Sequence, residues 1–181
     1  DEFLAPWQEE NGFARTCWHD LLLAEAARSA KAARELLCAA QLDCREDYAQ
    51  EMADTESKKT PSAIQKATAA VGEKYAEAQG RLERSAALLG EVERLAGAGE
   101  WTPLYDRLTP FVLGMEEMPG LKGMKKHLKG DHKTAIKTRA DEALALFEEI
   151  IELISCSEEE AEADRQAALP RLRALFAAVR D

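Results

Sequence analysis

The hydrophobic positions in the first third of the chain recur every three or four residues, which is the spacing of one face of an α-helix. The apolar stripe consists of Leu22, Ala26, Ala30, Ala33, Leu37, Ala40, Cys44, Tyr48 and Met52. No proline or glycine lies between Phe13 and Thr55. The pattern therefore predicts one helix over residues 12–56, about 65 Å long at 1.5 Å per residue.

A second helical stripe follows a short polar connection. Thr60 stands before Pro61, which is the order expected for a helix N-cap followed by a proline in the first turn. The second stripe consists of Ile64, Ala67, Val71, Tyr75, Ala78, Leu82, Ala86, Leu89, Val92 and Leu95. Two helices of similar length joined by a short loop predict an antiparallel hairpin, with the second helix over residues 61–96.

The C-terminal half contains a third stripe of the same kind. We expect Asp131 to be the N-cap of a helix that runs to about Ser155. Its apolar positions are Ile136, Ala140, Ala143, Phe147, Ile151 and Ile154. Ser157 and Glu160 form a capping-box pattern, so either a fourth helix begins there and covers residues 158–180 or the third helix continues.

Residues 99–130 have a different pattern, with short apolar runs between turn signals. The pairs Thr102-Pro103 and Thr109-Pro110 each resemble the start of a short helix. We therefore expect this segment to form a compact head or elbow on the long helices. The predicted fold class is all-α: an elongated antiparallel bundle of three to four helices, formed as a single domain over residues 1–181.

The composition agrees with long helices packed side by side. Alanine is the commonest residue at 33 and glutamate follows at 24, whereas aromatic residues make up only 6%. Alanine favours helix but buries little area, so such a core depends on helix length. The net charge of -10 argues against nucleic acid as a partner. The chain begins at Asp1 and its first methionine is Met52, so we expect a processed or excerpted polypeptide.

The four cysteines leave two interpretations open. Their even number fits two disulfides in a secreted protein, and it also fits four reduced cysteines in a cytosolic one. The candidates are Cys17, Cys38, Cys44 and Cys156. If the third long helix runs parallel to the first, Cys156 reaches the height of Cys38 and Cys44, and we expect it to pair with one of them. Cys17 then has no partner within reach unless the first helix bends.

A basic segment interrupts this acidic chain. From Met118 to Arg139 there are six lysines and one arginine against one acid, Asp131. The candidate patch consists of Lys122, Lys125, Lys126, Lys129 and Lys133. It is either an interaction surface for an acidic partner, a glycan or phospholipid head groups, or a solvated face paired with nearby glutamates. The second interpretation is the commoner outcome for lysines on an exposed helix.

The sequence lacks the motifs of the common catalytic and metal sites. There is no HExxH, GxSxG, GxGxxG or Walker loop, and no glutamate is followed three positions later by histidine. The histidines at positions 19, 127 and 132 look scattered. We therefore predict no enzymatic activity, no catalytic residues, no metal and no cofactor.

The chain also lacks an acceptor for N-linked sugar. Asn11 is the only asparagine and is followed by glycine and phenylalanine, so no N-x-[ST] sequon exists. Sugar would then be attached through threonine in exposed turns. The candidate acceptors are Thr55, Thr60, Thr102 and Thr109.

Blocks that alternate alanine and glutamate carry a resemblance to a known family. The stretches LLLAEAARSAKAARELLCAA and SEEEAEADRQAALP, together with long antiparallel helices and sparse cysteines, resemble the glutamic acid/alanine-rich proteins of African trypanosomes. That family belongs with the trypanosome surface molecules that include the variant surface glycoproteins and the haptoglobin–haemoglobin receptor.

This resemblance implies a glycosylphosphatidylinositol-anchored ectodomain on the outer face of the plasma membrane, where dense packing with neighbouring coat molecules shields the membrane. It also implies attachment through a C-terminal anchor that has been removed from this chain, and sugars linked to threonine. Two alternatives stay open: a cell-surface receptor that binds a host macromolecule through residues 99–130, and an intracellular helical scaffold.

Overall fold

The computed structural model of the protein describes the backbone of residues 4–58, 60–118, 121, 124, 128 and 130–155, and the side chains of the same residues from 20 onwards, except 58. Four helices lie in these ranges: α1 Leu4–Lys58, α2 Pro61–Gly97, α3 Trp101–Val112 and α4 Lys133–Ser155. The all-α class is confirmed, and so is the uninterrupted first helix. The predicted helix over 158–180 lies outside the described residues.

The central element of the bundle is α1, against which both α2 and α4 pack. With 55 residues it is about 82 Å long. The predicted stripe from Leu22 to Cys44 is buried, and its alanines at 26, 30, 33 and 40 are fully covered. Alanine lets two helix backbones approach closely, and larger side chains of α2 and α4, such as Leu89 and Ile150, fill the space on either side.

Contacts across the bundle show the direction of each helix. Along α1 and α2, Arg34 pairs with Glu93 at 2.7 Å and Arg45 faces Glu83 at 3.9 Å, so α2 is antiparallel to α1, as predicted. Asp43, two residues before Arg45, pairs with Arg139 of α4.

The predicted direction of the third long helix is wrong. Near the start of α4, His132 contacts Asp47, and farther along Glu149 lies close enough to act electrostatically on Arg28. Residue numbers therefore rise along α4 as they fall along α1, so these two helices are also antiparallel. The levels that the connection after α2 joins account for this: Phe111 of α3 contacts Phe147, far along α4, whereas His132, just before α4, contacts Asp47.

The short helix α3 begins this return. Arg107 of α3 pairs with Glu91 of α2 at 2.7 Å, and the ring of Phe111 contacts that of Phe147 on α4. Phe147 lies fourteen residues after the first residue of α4, which is about 21 Å. The chain after α3 must therefore travel this distance along α4, which differs from the compact head expected for residues 99–130.

The second short helix expected at Thr109-Pro110 does not exist. Pro110 lies inside the last turn of α3, and the Thr109 hydroxyl donates to the carbonyl of Tyr105 at 2.8 Å. Loss of one N–H near the end of a helix removes only one intrahelical hydrogen bond, so the last turn tolerates it. Gly114 then ends this region with φ of 66°, a left-handed conformation that favours glycine.

The helix starts agree only in part with the prediction. Thr60 is the N-cap of α2 and Pro61 its first residue, although the Thr60 side chain makes no capping hydrogen bond. Asp131 is not the N-cap of α4. Instead the carbonyl of His132 accepts the first helical bond from the N–H of Ile136 at 2.9 Å.

Candidate functional site

The buried face of α1 becomes polar near the α1–α2 turn. After Cys44 the covered positions are Asp47 and Thr55, with Glu51 half-buried between them. These residues continue the same helical face in steps of three and four. Tyr48, which the apolar stripe assigned to the core, is instead 36% exposed. The structure thus brings two carboxyl groups into the place where α1, α2 and α4 meet.

Asp47 joins α1 to the beginning of α4. Its side chain is only 3% exposed, and its Oδ1 accepts from the backbone N–H of His132 at 3.2 Å and lies 2.8 Å from His132 Nδ1. A carboxylate of α1 thereby caps a backbone donor at the start of another helix. The second oxygen, Oδ2, is buried and has no hydrogen-bond partner within the described part of the chain.

Gly130 makes this approach possible. Its φ is 108°, and a Cβ added there would lie 2.4 Å from Cγ of Asp47. A side chain at position 130 would therefore overlap the carboxyl group as well as strain the backbone. The glycine both turns the chain into α4 and leaves space for Asp47.

Hydrogen bonding and charge both act on the imidazole of His132. The hydrogen bond with Asp47 raises the pKa of His132 above its ordinary value, and the charges of Asp47, Glu46 and Asp131 act in the same direction. Glu46 lies 3.7 Å from Nε2, which is too long for a hydrogen bond but short enough for charge attraction. The side chain is 42% exposed, so a proton exchanges freely with solvent.

Glu51 and Tyr75 form the second contact of this junction, between α1 and α2. Burial raises the pKa of the Tyr75 phenol, and the charge of Glu51 and the hydrogen bond between the two side chains raise it further. The phenol therefore remains protonated and acts as a hydrogen-bond donor. Like Asp47, Glu51 keeps one buried oxygen, Oε2, without a hydrogen-bond partner in the described residues.

The Cys44 thiol lies beside the carboxyl groups but is poorly suited to nucleophilic chemistry. Burial raises the pKa of Cys44 to about 11, and the negative charge of Asp47 acts in the same direction. The thiolate is the reactive form, so this thiol is inert near neutral pH.

A cleft of about 270 Å³ opens between α1 and α2 on the solvent side of this junction. The rings of Tyr48 and Tyr75 lie in it with centroids 5.4 Å apart. Gly72, which has no side chain, leaves part of the wall open. The remaining lining residues are Cys44, Arg45, Ala76, Gln79 and Glu83. The volume lies just below the usual range for small-molecule sites.

The structure separates the cysteines that the sequence analysis grouped. Cys38 is exposed, Cys44 is buried, and both are free thiols, so the predicted bridge from Cys156 to one of them is wrong. The antiparallel direction of α4 explains this: Ser155 lies sixteen residues beyond Arg139, about 24 Å from the level of Asp43. Cys156 and the side chain of Cys17 lie outside the described residues.

The candidate sugar acceptors fall into different environments. Thr55 is not in a turn: it lies in the last turns of α1 and is only 9% exposed, so the expectation of an exposed acceptor is wrong there. Thr60 is exposed before α2. Thr102 is exposed and Thr109 half-buried, but both belong to α3 rather than to turns.

One lysine of the predicted basic patch lies within the described residues. Lys122, Lys125, Lys126 and Lys129 lie outside the described residues, whereas Lys133 is half-buried at the start of α4. The described residues within that segment contribute to the core instead, since Leu121, Met124 and Leu128 are buried.

The sequence analysis missed the residues that form the polar junction. His132 was interpreted as a scattered histidine, although a buried carboxylate contacts it. The available signal was that Asp47 and Glu51 continue the helical spacing of the stripe beyond Cys44, at positions where an apolar residue is expected.

Neither metal binding nor a membrane span emerges from the described ranges. Within them, no three or more histidine, cysteine or acidic side chains are grouped so that they could hold a metal ion. The helices in the same ranges are also not long and apolar enough to cross a bilayer.

These observations define an all-α protein whose long central helix carries a polar junction at one end. Comparisons with protein families, with curated proteins and with solved structures give no match to this chain.

Proposed function

We propose that this chain is a non-enzymatic coat protein of a cell surface, held at the outer face of the plasma membrane by a C-terminal glycosylphosphatidylinositol anchor. The observation that carries the proposal is the continuous α1, about 82 Å long, with α2 and α4 packed along its alanine face. Close helix packing gives a narrow cross-section, and a narrow rod can be packed at high density on a membrane.

The charges on the outer faces support the same function. Ion pairs such as Arg28 with Glu25 and Arg81 with Glu77 lie on exposed or half-exposed helix surfaces. Single pairs of this kind contribute little to stability. They keep the surface hydrated, and the net charge of -10 opposes aggregation of neighbouring molecules at high density.

The direction of α4 suggests how such a rod would be oriented. Ser155 lies at the end of α4 away from the α1–α2 turn, because α4 runs antiparallel to α1. If attachment follows the C-terminal end of α4, the α1–α2 turn faces outwards and the α2–α3 connection lies nearer the membrane.

Antibody fragments against the α1–α2 turn and against the α2–α3 connection test localisation and orientation together. One fragment is raised against the exposed residues 60–63 and the other against the exposed residues 97–100. We expect only the first to bind intact, unpermeabilised cells, both to bind the isolated protein, and a phosphatidylinositol-specific phospholipase to release the antigen. Staining that requires permeabilisation would exclude a coat protein and favour the intracellular scaffold.

A second candidate function, a receptor, is favoured by one feature of residues 99–130. Leu113 and Met115, on either side of Gly114, are 65% and 76% exposed. Contiguous exposed apolar patches mark interaction sites, and these two side chains flank the same glycine. In a pull-down with host proteins, the double variant L113D/M115D should fail to bind a protein that the wild type binds. The control L42D changes a residue that is 59% exposed on α1, and it should bind that protein as the wild type does.

A further inference from the structure

The contact between Asp47 and His132 has features that a purely structural hydrogen bond does not need. The carboxyl group is buried, but its partner is a side chain that is 42% exposed and can gain or lose a proton. The same carboxyl oxygen also accepts the backbone N–H of His132, so the ring and the beginning of α4 are held by one acceptor.

We propose that Asp47 and His132 form a pH-sensitive latch that holds the first turns of α4 against α1 and loosens as the solution becomes more alkaline. This inference concerns the internal mechanics of the bundle and does not depend on the coat function.

The charges around the latch favour a protonated imidazole. From α1, Asp47 and Glu46 face the ring, and Asp131 precedes it in the chain. Asp47 in turn has Cys44 beside it on α1 and Tyr75 across from it on α2, and both remain neutral because their pKa values are raised. Among the described residues, His132 forms the ion pair with Asp47, at 2.8 Å, and Asp47 Oδ2 has no hydrogen-bond partner there.

The direction of the pH effect follows from linkage. A histidine whose pKa is higher in the docked state than in the undocked state binds protons more tightly when docked. The stabilisation is fully present below the ordinary histidine pKa of about 6.5 and is lost as the pH rises through the docked-state value. Neutral imidazole can still donate through Nδ1–H, so the latch weakens but its hydrogen bond remains.

The neighbouring turn provides an internal reference. Arg139 pairs with Asp43 one to two turns farther along α4, and an arginine stays charged over the whole range in which His132 titrates. That pair also joins α1 to α4, but it should contribute equally at pH 6 and pH 8. Opening is therefore expected in the first turns of α4 and not along the whole helix.

The experiment has two readouts on the full chain. The first is a titration of the three histidine ring signals by NMR in the wild type, in D47N and in the control H127Q, which also assigns one of the signals. We expect the pKa of His132 to lie above that of an unstructured histidine and to fall towards it in D47N.

The second readout is amide hydrogen exchange in α4, corrected for the intrinsic dependence of exchange on pH. The N–H groups of residues 136–138 report on the first turns, and those of residues 146–150 serve as a reference. Between pH 6 and pH 8 we expect the protection of 136–138 relative to 146–150 to fall, by a factor whose upper limit is the ratio of the proton-binding constants of docked and undocked His132.

Two variants decide between the latch and a general weakening of the contact between helices. H132Q should abolish the pH dependence of relative protection, whereas R139Q should lower protection at both pH values and leave the pH dependence intact. The latch is overturned if D47N leaves the His132 titration unchanged. It is equally overturned if the wild type shows no pH dependence or H132Q keeps it, and the wild-type titration decides the matter even if a variant fails to fold.

Discussion

The phenyl ring of Phe111 meets the ring of Phe147 edge to face, with centroids 5.2 Å apart and planes at 87°. The guanidinium of Arg107 lies over the same Phe111 ring at 5.7 Å while it pairs with Glu91. Through these contacts α3 lies on the side of the bundle and connects α2 to α4.

Alanine variants of Phe111 and Phe147 should show how much the contact between the two rings contributes to the free energy of unfolding. Phe147 is buried, so F147A should lower the free energy of unfolding by about 3–5 kcal/mol, and F111A should cost less because Phe111 is half-buried. A double-mutant cycle in chemical denaturation should give a coupling energy of about 0.5–1.5 kcal/mol. Strictly additive effects would show that the two rings do not interact in solution.

The alanine face of α1 should reject larger side chains. Ala33 is fully buried, so A33L would force α1 and its neighbours apart and should cost about 1–3 kcal/mol. Ala49 is exposed on the same helix, and A49L should change stability by no more than about 0.5 kcal/mol. The midpoints of urea unfolding measure both. Equal effects of the two variants would contradict close packing along this face.

Two glycines should respond to alanine in opposite directions. In G130A the new Cβ would overlap Asp47 and the backbone would keep a left-handed φ, so we expect a loss of at least about 1 kcal/mol. Gly72 lies inside α2 with open space around it, so G72A should stabilise the protein by about 0.4–1 kcal/mol. Thermal melting of both variants tests this, and a stabilising G130A would contradict the described approach of Asp47 to Gly130.

The two described cysteines should differ in reactivity. Cys38 is exposed and should be alkylated by iodoacetamide in the native protein at pH 8. Cys44 is buried and its pKa is raised to about 11, so it should react only after denaturation. Peptide mass spectrometry after timed labelling separates the two sites. Rapid native labelling of Cys44 would place it outside the core, and resistance of Cys38 to alkylation without prior reduction would show that it is disulfide-bonded.

Local patterns in the sequence were sufficient to predict the helices. The spacing of Leu22, Ala26 and Ala30 reports directly on which side of one helix is apolar, and the order of Thr60 and Pro61 marks where the next helix begins. These are short-range properties, so α1 and α2 were predicted within a few residues of their observed ends, except at the N-terminal end of α1.

Local sequence patterns did not predict the candidate site, because its residues lie far apart in the chain. Asp47 and His132 are separated by 85 residues, and nothing in the pattern around either residue names the other. A third long helix parallel to α1 would also place Cys156 rather than His132 beside this part of α1.

Helix propensity and apolar periodicity are local and are repeated over many turns, so the amino-acid pattern was enough to predict a bundle of long helices. It was not enough to predict that α4 runs antiparallel to α1, that a buried carboxylate caps the start of α4, or that Cys38 and Cys44 are free. These features depend on the path of the connection between α2 and α4. Contacts such as Phe111 with Phe147 and Asp47 with Gly130 select that path, and they form only when distant segments have already come together.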